Sequence, residues 1–292
     1  MPLVEVISGS HTSPQTLAVC MHAAKSIDKT SVMVRSCVGF LANRIFVPYT
    51  MAANILVQAG ACPYRLDKAM ERFGMPMGPL RMGDSVGLDI SVHLKPIFEQ
   101  GFPGRVYSPP LSDELIALGR SGQKSGKGFY KYPVPGAHKG VEDWEGIKSA
   151  VQKIREAAVR ENLKFPDASQ LSDEEMVILC MLPVVNEAAR VLQERVVATE
   201  DDIDVASIMG YGFPAWRGGV WSWGKYRKAD DNLTGAGSKK GGNFGLNSGA
   251  SGLALCAAEL EKISQVWGAG KSEVREFFRP SAALLQLAKE QK

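Results

Sequence analysis

The sequence predicts a mainly α-helical protein in which one helical unit occurs twice, behind a short α/β segment. The two copies are recognisable from matched residues, and each copy ends in a Gly/Pro turn, at 74–79 and at 210–214. The matched pairs are Pro48 with Pro183, Ala53 with Ala188, Leu56 with Val191, Asp67 with Asp204 and Ala69 with Ala206. The two copies lie far enough apart in the chain to indicate duplicated domains, because the repeats of a solenoid recur every 20 to 50 residues or about that.

The first 38 residues have an α/β pattern. A short apolar strand is predicted at 3–7, interrupted by Glu5, and a second β-branched strand at 31–34. Between them, Thr12-Ser13-Pro14 is a good helix start, with a capping hydroxyl and a first-turn proline. A strand–helix–strand segment this short is too small to be a domain, so 1–38 is predicted to be the tail of one.

Residues 39–140 are predicted to form the first helical unit. Its first helix has a wide apolar face, contains Pro48 as a predicted kink and stops at Gly60. Further helices are predicted at 64–73, 83–98 and 111–118. A Gly/Lys/Ser-rich loop at 119–132 and a linker at 133–140 follow.

A charged linker helix is predicted within 141–171, and the second helical unit spans 172–292. Ser172-Asp173-Glu174-Glu175 has the form of a capping box and opens that unit. Residues 230–252 are rich in Gly, Ser and Asn and are predicted to be a low-complexity surface insertion.

Composition excludes several classes of protein. The net charge of +3 gives no indication of nucleic-acid binding, and no run of roughly 18 apolar residues predicts a membrane span. The five scattered cysteines fit a reducing compartment, and the N-terminal residues do not resemble a secretory signal.

The glycine motifs and histidines give little support for a cofactor or a metal. Gly210 to Ala215 fits GxGxxA but follows a helical stretch and contains a proline, so it is not a dinucleotide fingerprint. Gly268-Ala269-Gly270-Lys271-Ser272 lacks the first glycine of a phosphate loop. None of the four histidines has the spacing of a metal site, and no Gly-x-Ser-x-Gly elbow occurs.

Two polar residues in apolar surroundings are candidate site residues, Glu5 on the first strand and Asn43 on the first long helix. A carboxylate and an amide in one pocket can orient a base and bind a carbonyl. The competing interpretation is a solvent-exposed acid at a strand edge and an Asn that makes local hydrogen bonds. Spacing alone favours this second interpretation.

Three motifs resemble the 3-hydroxyacyl-CoA dehydrogenase family. Gly39-Phe40-Leu41-Ala42-Asn43-Arg44 resembles the start of its helical domain, Gly74 to Pro79 its Met-Gly-Pro turn, and Gly122 to Tyr132 its loop before a terminal Phe-Tyr. The second copy, through Pro183 to Ala188 and Gly212 to Gly219, resembles the trailing domain of multifunctional β-oxidation enzymes, in which an enoyl-CoA hydratase precedes the dehydrogenase. The resemblance implies two helical domains of the dehydrogenase C-terminal type behind a Rossmann remnant.

The resemblance also implies the chemistry. In the family a His takes the proton of the 3-hydroxyl of an acyl-CoA substrate while hydride passes to NAD. A Glu, here at Glu5, holds that His, and an Asn, here at Asn43, helps to hold the thioester end. The His, the NAD fingerprint and the hydratase domain would all lie upstream of Met1. A truncated gene model is the simplest account, and we expect the isolated chain to be inactive with NAD.

Two matters stay open at this point. The alternative to the enzyme is a non-catalytic helical module that packs against a partner or dimerises. Relatives of this architecture are peroxisomal in plants and algae and cytoplasmic in bacteria. The Gly/Ser insertion weakly indicates a eukaryote, so we expect the peroxisome, with the cytoplasm as the alternative. The chain ends Lys289-Glu290-Gln291-Lys292, which is not a Ser-Lys-Leu address.

Overall fold

A strand–helix–strand unit opens the chain in the computed structural model, which describes residues 1–162, 165–231, 233–234 and 250–291. Strands β1 (Leu3–Ser8) and β2 (Thr30–Arg35) are parallel, with Leu3 opposite Thr30, and helix α1 (Pro14–Ser26) connects them. The Ser13 side chain accepts the Thr16 N–H and caps α1. All three predicted elements are therefore present, with ends shifted by a few residues.

Helices make up most of the remaining described chain, which confirms the mainly helical prediction. The helices are α2 (Ala42–Gln58), α3 (Pro63–Phe73), α4 (Pro79–Val86), α5 (Leu88–Gly101), α6 (Leu111–Ala117), α7 (Trp144–Arg160), α8 (Asp173–Gln193), α9 (Glu200–Tyr211), α10 (Val220–Tyr226), α11 (Gly252–Trp267), α12 (Ser272–Phe278) and α13 (Ala282–Glu290). Two short antiparallel strands, β3 (Tyr130–Lys131) and β4 (Val141–Glu142), pair after the Gly-rich loop.

The predicted helix at 83–98 is wrong in its extent. The chain forms α4 and α5 there, and Gly87 separates them with a φ of +105°. A residue at this φ cannot continue a right-handed helix, and glycine adopts it without a Cβ clash. Residues of both α4 and α5 line the same cavity.

Helices α2 and α8 pack along each other at the centre of one hydrophobic core. Each contains an interior proline, Pro48 in α2 and Pro183 in α8. The core-facing side of α2 carries fully buried side chains such as Ile45 and Leu56. The opposite side of α2 is left for α4 and α5, so the packing on α8 determines which α2 residues face the candidate site.

Helix α9 holds the strand pair against the start of α2. The Arg35 N–H at the end of β2 donates to the Val196 carbonyl at 2.8 Å, just before α9. Leu3 of β1 lies so close to Gly210 of α9 that a Cβ at Gly210 would come within 2.9 Å of its Cδ2. These contacts fix the position of β1, and with it Glu5.

Helices α10, α11 and α13 pack on α8, and α12 packs on α11. The capping box predicted at α8 is present, since the Ser172 side chain accepts the Glu175 N–H and the Glu175 carboxylate accepts the Ser172 N–H. The Gly252 N–H donates to the Arg227 carbonyl at 2.7 Å, so the chain returns to its point of departure after the predicted insertion. Most of that insertion, 230–252, lies outside the described residues.

Candidate functional site

A cavity of about 680 Å³ follows the side of α2 that faces away from α8. The α2 residues that line it recur at intervals of three or four, so they lie on one face of the helix. These wall residues are Asn43, Phe46, Val47, Thr50, Met51 and Asn54. Helices α4 and α5 and the end of α9 contribute the other walls. The cavity is therefore built mainly from residues before 130 and is closed at one side by α9.

Methionine is the most frequent residue type in the lining of the cavity. Six of the eleven methionines of the chain line the cavity, at positions 1, 51, 75, 77, 82 and 209. Methionine is unbranched and polarisable, so a methionine wall adapts to ligands of different shape. The sequence analysis did not identify this lining, although the density of methionines between 70 and 82 was a visible signal.

Asn43, one of the two predicted site residues, lies in the first turn of α2 on the cavity wall. Its side chain is exposed rather than packed into the core. Residues Met209 and Gly210, near the end of α9, line the same cavity. An amide at this position is accessible to a ligand that enters the cavity.

Glu5, the other predicted site residue, lies on β1 and reaches the start of α2. Its Oε1 accepts the N–H of Leu41 at 2.8 Å and the N–H of Ala42 at 3.1 Å. Backbone amides at a helix start have no partner within the helix, and the helix dipole favours a negative charge there. The structure thus brings Glu5 to the two amides immediately before Asn43, and Glu5 is half-buried instead of a solvent-exposed strand acid.

The Gly-rich loop before the aromatic run has a structural role beside the cavity. Asp84 of α4 accepts the N–H groups of Phe129 and Tyr130 at 2.8 and 2.9 Å, and the Tyr132 hydroxyl at 3.0 Å. Burial raises the pKa of Asp84 to about 6, against the opposing effect of these hydrogen bonds. A Cβ at Gly128 would lie 1.9 Å from Asp84 Oδ1, so glycine is required there. The loop fastens Phe129, a cavity-lining residue, to α4.

Two aspartates hold the starts of two helices in the same manner. The Asp67 carboxylate accepts the N–H groups of Leu80 and Arg81, both at 2.9 Å, at the start of α4. The Asp204 carboxylate accepts those of Trp221 at 2.7 Å and Ser222 at 3.2 Å, at the start of α10. Burial raises the pKa of Asp67 to about 7 and also raises the pKa of Asp204. Of the two capped helices, α4 is the one that borders the cavity.

Arg217, in the turn between α9 and α10, is engaged inside the protein. Its Nε donates to the Phe73 carbonyl at 3.0 Å and its Nη2 to the Leu233 carbonyl at 2.8 Å. The guanidinium also lies over the rings of Phe73 and Trp216. These contacts give Arg217 a packing role.

Within the described ranges, no helix combines the length and apolarity needed to cross a membrane. The same residues contain no group of three or more His, Cys, Asp or Glu side chains placed to hold a metal ion.

Two models of known protein families match the part of the chain that contains the cavity and both candidate site residues. Residues 39–132 match the 3-hydroxyacyl-CoA dehydrogenase C-terminal domain, and residues 1–37 match the NAD binding domain of the same enzyme. The chain belongs to the 3-hydroxyacyl-CoA dehydrogenase family. Both candidate site residues, Glu5 and Asn43, fall within these matches, which confirms the resemblance found in the sequence.

Relatives of this family member are multifunctional enzymes. A glyoxysomal fatty acid beta-oxidation multifunctional protein of Brassica napus is 40% identical over 223 residues, 76% of this chain and 30% of that protein. A peroxisomal fatty acid beta-oxidation multifunctional protein of Oryza sativa is 32% identical over 289 residues, 99% of this chain and 35% of that protein. The chain therefore spans about a third of the length of these curated relatives.

A solved structure shares the fold. The dehydrogenase part of multifunctional enzyme 1 from C. elegans has a TM-score of 0.62 and 26% identity, over 98% of this chain and 56% of that one.

NAD is the cofactor of the 3-hydroxyacyl-CoA dehydrogenase family, but the residues present here do not form a phosphate cradle for it. The turn after β1 is Gly9-Ser10-His11-Thr12-Ser13, in which the Gly9 N–H donates to Thr12 Oγ1 at 3.0 Å. It contains one glycine, whereas a dinucleotide fingerprint needs three around the turn from strand to helix. Elsewhere in the part of the chain that the structure describes, no strand–turn–helix carries three glycines with that spacing.

Proposed function

We propose that this chain provides the acyl-CoA-binding helical part of a fatty-acid β-oxidation enzyme that oxidises 3-hydroxyacyl-CoA to 3-oxoacyl-CoA with NAD. The observation that carries the proposal is the methionine-lined cavity that follows α2 from Asn43. An apolar, adaptable wall suits an acyl chain, and an exposed amide at one end suits the thioester. The names of the relatives, fatty acid beta-oxidation multifunctional proteins, support the same substrate class.

Glu5 and Asn43 are the proposed site residues of the chain. Asn43 donates its amide N–H to the thioester carbonyl, and Glu5 orients the imidazole that takes the proton of the 3-hydroxyl. Both Glu5 hydrogen bonds end on Oε1 and fasten β1 to the start of α2. This supports a site in which the carboxylate and the amide keep one relative position while substrate binds.

The catalytic His and the NAD fingerprint are proposed to come from protein outside these 292 residues, together with an enoyl-CoA hydratase part. No histidine precedes Glu5 in the sequence, and no dinucleotide fingerprint occurs in it. The chain alone is therefore expected to bind acyl-CoA without oxidising or reducing a nicotinamide.

Residues 39–140 and 172–292 are proposed to be duplicated domains, joined by the helix within 141–171 and preceded by a Rossmann remnant at 1–38. The parallel roles of Asp67 and Asp204 at the starts of α4 and α10 support the duplication. The family match that changes between residues 37 and 39 supports the first boundary. At the point that corresponds to Asn43, five residues before the matched proline, the second copy has the buried Ile178, so one copy carries the site.

A binding experiment and an activity assay test the proposal on the recombinant chain. Dodecanoyl-CoA is titrated into the protein by calorimetry, and NADH oxidation with acetoacetyl-CoA is followed in parallel. We expect saturable binding, a loss of affinity of about tenfold in Asn43→Ala, and no NADH oxidation. Ser85→Ala is the control, since Ser85 is exposed on α4 and outside the cavity lining. Absence of binding, or NADH oxidation by the isolated chain, contradicts the proposal.

The peroxisome is the proposed compartment, because the plant relatives carry glyoxysomal or peroxisomal names. Fractionation of the source cells with an antibody against the chain tests it. Recovery in the cytosolic fraction alone contradicts the proposal.

A second candidate function, a packing or dimerisation module, is supported by one face of α5. Ile90, Leu94 and Ile97 are 43, 37 and 47% exposed and have the spacing of a single helix face. Light scattering coupled to size exclusion distinguishes the two functions. A dimer that an Ile90→Glu/Ile97→Glu variant dissociates, in a protein that does not bind acyl-CoA, favours the module.

A further inference from the structure

The end of α9 lies against the start of α2, beside Asn43. The rings of Phe46 on α2 and Tyr211 at the end of α9 have their centroids 4.2 Å apart, and both residues line the cavity. A Cβ at Gly210 would lie 3.6 Å from the Ala42 Cβ, so α9 also contacts α2 one residue before Asn43. Phe46 and Asn43 are three residues apart and share one face of the helix. The end of α9, from the proposed second copy, therefore forms the wall at the Asn43 end of the cavity.

The backbone on both sides of Tyr211 is enclosed by other segments. A Cβ at Gly210 would come within 2.9 Å of Leu3 Cδ2, on β1. A Cβ at Gly212 would lie 2.8 Å from Pro76 Cγ, in the turn before α4. An aromatic ring is also rigid, whereas a methionine side chain has three rotatable bonds. This part of the wall therefore yields less to a ligand than the methionines along the rest of the cavity.

The proposed binding mode brings the first acyl carbons to this wall. When Asn43 donates to the thioester carbonyl, the next carbon of the acyl chain lies two covalent bonds from the hydrogen-bonded oxygen. Along α2, Phe46 is the next residue of the cavity lining after Asn43. Both Phe46 and Tyr211 are partly exposed, so a ligand in the cavity can contact them. One extra methylene group in an apolar pocket can change affinity by about 10- to 200-fold, so a methyl branch at this carbon should weaken binding.

We infer that Tyr211 is a specificity-determining residue, and that with Phe46 it selects acyl-CoA substrates unbranched at the carbon next to the thioester. The inference rests on the proposed function and refines its substrate class. It also gives the proposed second copy a part in substrate recognition through the end of α9. Branches further along the acyl chain meet the adaptable methionine lining and are tolerated.

The test compares three ligands on the full 292-residue chain. They are dodecanoyl-CoA, 2-methyldodecanoyl-CoA and 10-methyldodecanoyl-CoA, and calorimetry measures their dissociation constants. The two enantiomers of the 2-methyl ligand are titrated separately, because a wall on one side of the chain meets the methyl group of one enantiomer. We expect at least one enantiomer to bind about tenfold more weakly than dodecanoyl-CoA, and the 10-methyl ligand to bind within about threefold of it.

Three variants assign the effect to the ring of Tyr211. Tyr211→Leu removes the planar ring and should bring the disfavoured enantiomer within about threefold of dodecanoyl-CoA. Tyr211→Phe keeps the ring and should retain the wild-type preference. Tyr226→Leu makes the same exchange at a tyrosine that is 70% exposed and outside this cavity lining, and it should also retain the preference. Thermal melting shows whether each variant is folded, and Phe46→Leu, on the other ring of the pair, replaces Tyr211→Leu if that variant does not fold.

The outcomes keep this inference separate from the proposed function. Equal affinity of the folded wild-type chain for dodecanoyl-CoA and both 2-methyl enantiomers overturns the inference and leaves the proposed function standing. An unchanged preference in the folded Tyr211→Leu variant likewise overturns it. Failure of all the ligands to bind contradicts the proposed function itself.

Discussion

The guanidinium of Arg44 and the carboxylate of Glu187 are buried against each other, with Nε 2.8 Å from Oε1. Arg44 is on α2 beside Asn43, and Glu187 is on α8, so the pair joins the two helices at the centre of the core. Arg190 Nη1 also donates to Glu187, at 2.9 Å. Without Glu187, the buried Arg44 keeps the partly exposed Glu194 as an ion-pair partner, with its Nη1 2.8 Å from Oε2. A buried charge that loses its buried partner is still strongly destabilising.

We therefore expect Glu187→Ala to lower the free energy of unfolding by about 3 kcal/mol, measured by urea denaturation. The matched control is Glu142→Ala, which removes an exposed ion pair with Lys68. Exposed pairs contribute little because solvent screens them, so the control should be nearly neutral. An equal loss of unfolding free energy in both variants contradicts a larger contribution from the buried pair.

Stability should depend on pH through Asp67 and Asp84. Burial raises their pKa values from 3.8 to about 7 and about 6. Between pH 4 and 7 or so, the folded protein then holds more protons than the unfolded chain, so the free energy of unfolding should fall as the pH rises through this window and level off outside it. Urea denaturation at a series of pH values measures the slope. Asp84→Asn should make the free energy of unfolding depend less steeply on pH. If the dependence is unchanged in that variant, Asp84 does not contribute to it.

Gly78 and Gly83 form a matched pair of tests for the packing of α4. A Cβ at Gly78 would lie 2.3 Å from the Cα of Asp67, whereas a Cβ at Gly83 would meet only Leu88 Cδ2, at 3.4 Å. Gly78→Ala should destabilise the protein by about 2 kcal/mol, because backbone must move. Gly83→Ala should be neutral or stabilise by about 0.5 kcal/mol, since alanine favours the helix. Denaturation curves that rank the two variants in the opposite order contradict the close contact between α4 and Asp67.

Removal of 235–249 should leave the fold intact. The chain meets itself at the Arg227 carbonyl and the Gly252 N–H, 2.7 Å apart, and shortening a loop changes its closure entropy only slightly. A variant with a short Gly/Ser link in place of 235–249 should melt within about 3 °C of the full chain. Leu233→Ser is the contrasting variant, because Leu233 is 2% exposed and should be needed. A deletion that prevents folding contradicts the expectation.

Local patterns were enough to predict much of the secondary structure. The strand–helix–strand start, the α8 capping box and the stop of α2 at Gly60 follow from residues close together in sequence, whose preferences act over one or two turns. The division of 83–98 into α4 and α5 was missed, because a glycine within a helical pattern signals a break only when the packing imposes a positive φ, as it does at Gly87.

By itself, the sequence determined the family, the mainly helical class and the two residues, Glu5 and Asn43, that resemble those of the family's site. Tertiary structure decided what surrounds them. It placed the Glu5 carboxylate on the amides before Asn43 and gathered methionines from four segments into one cavity. These relationships join residues that are distant in the chain, and they arise from how helices pack, which no local pattern of residues contains.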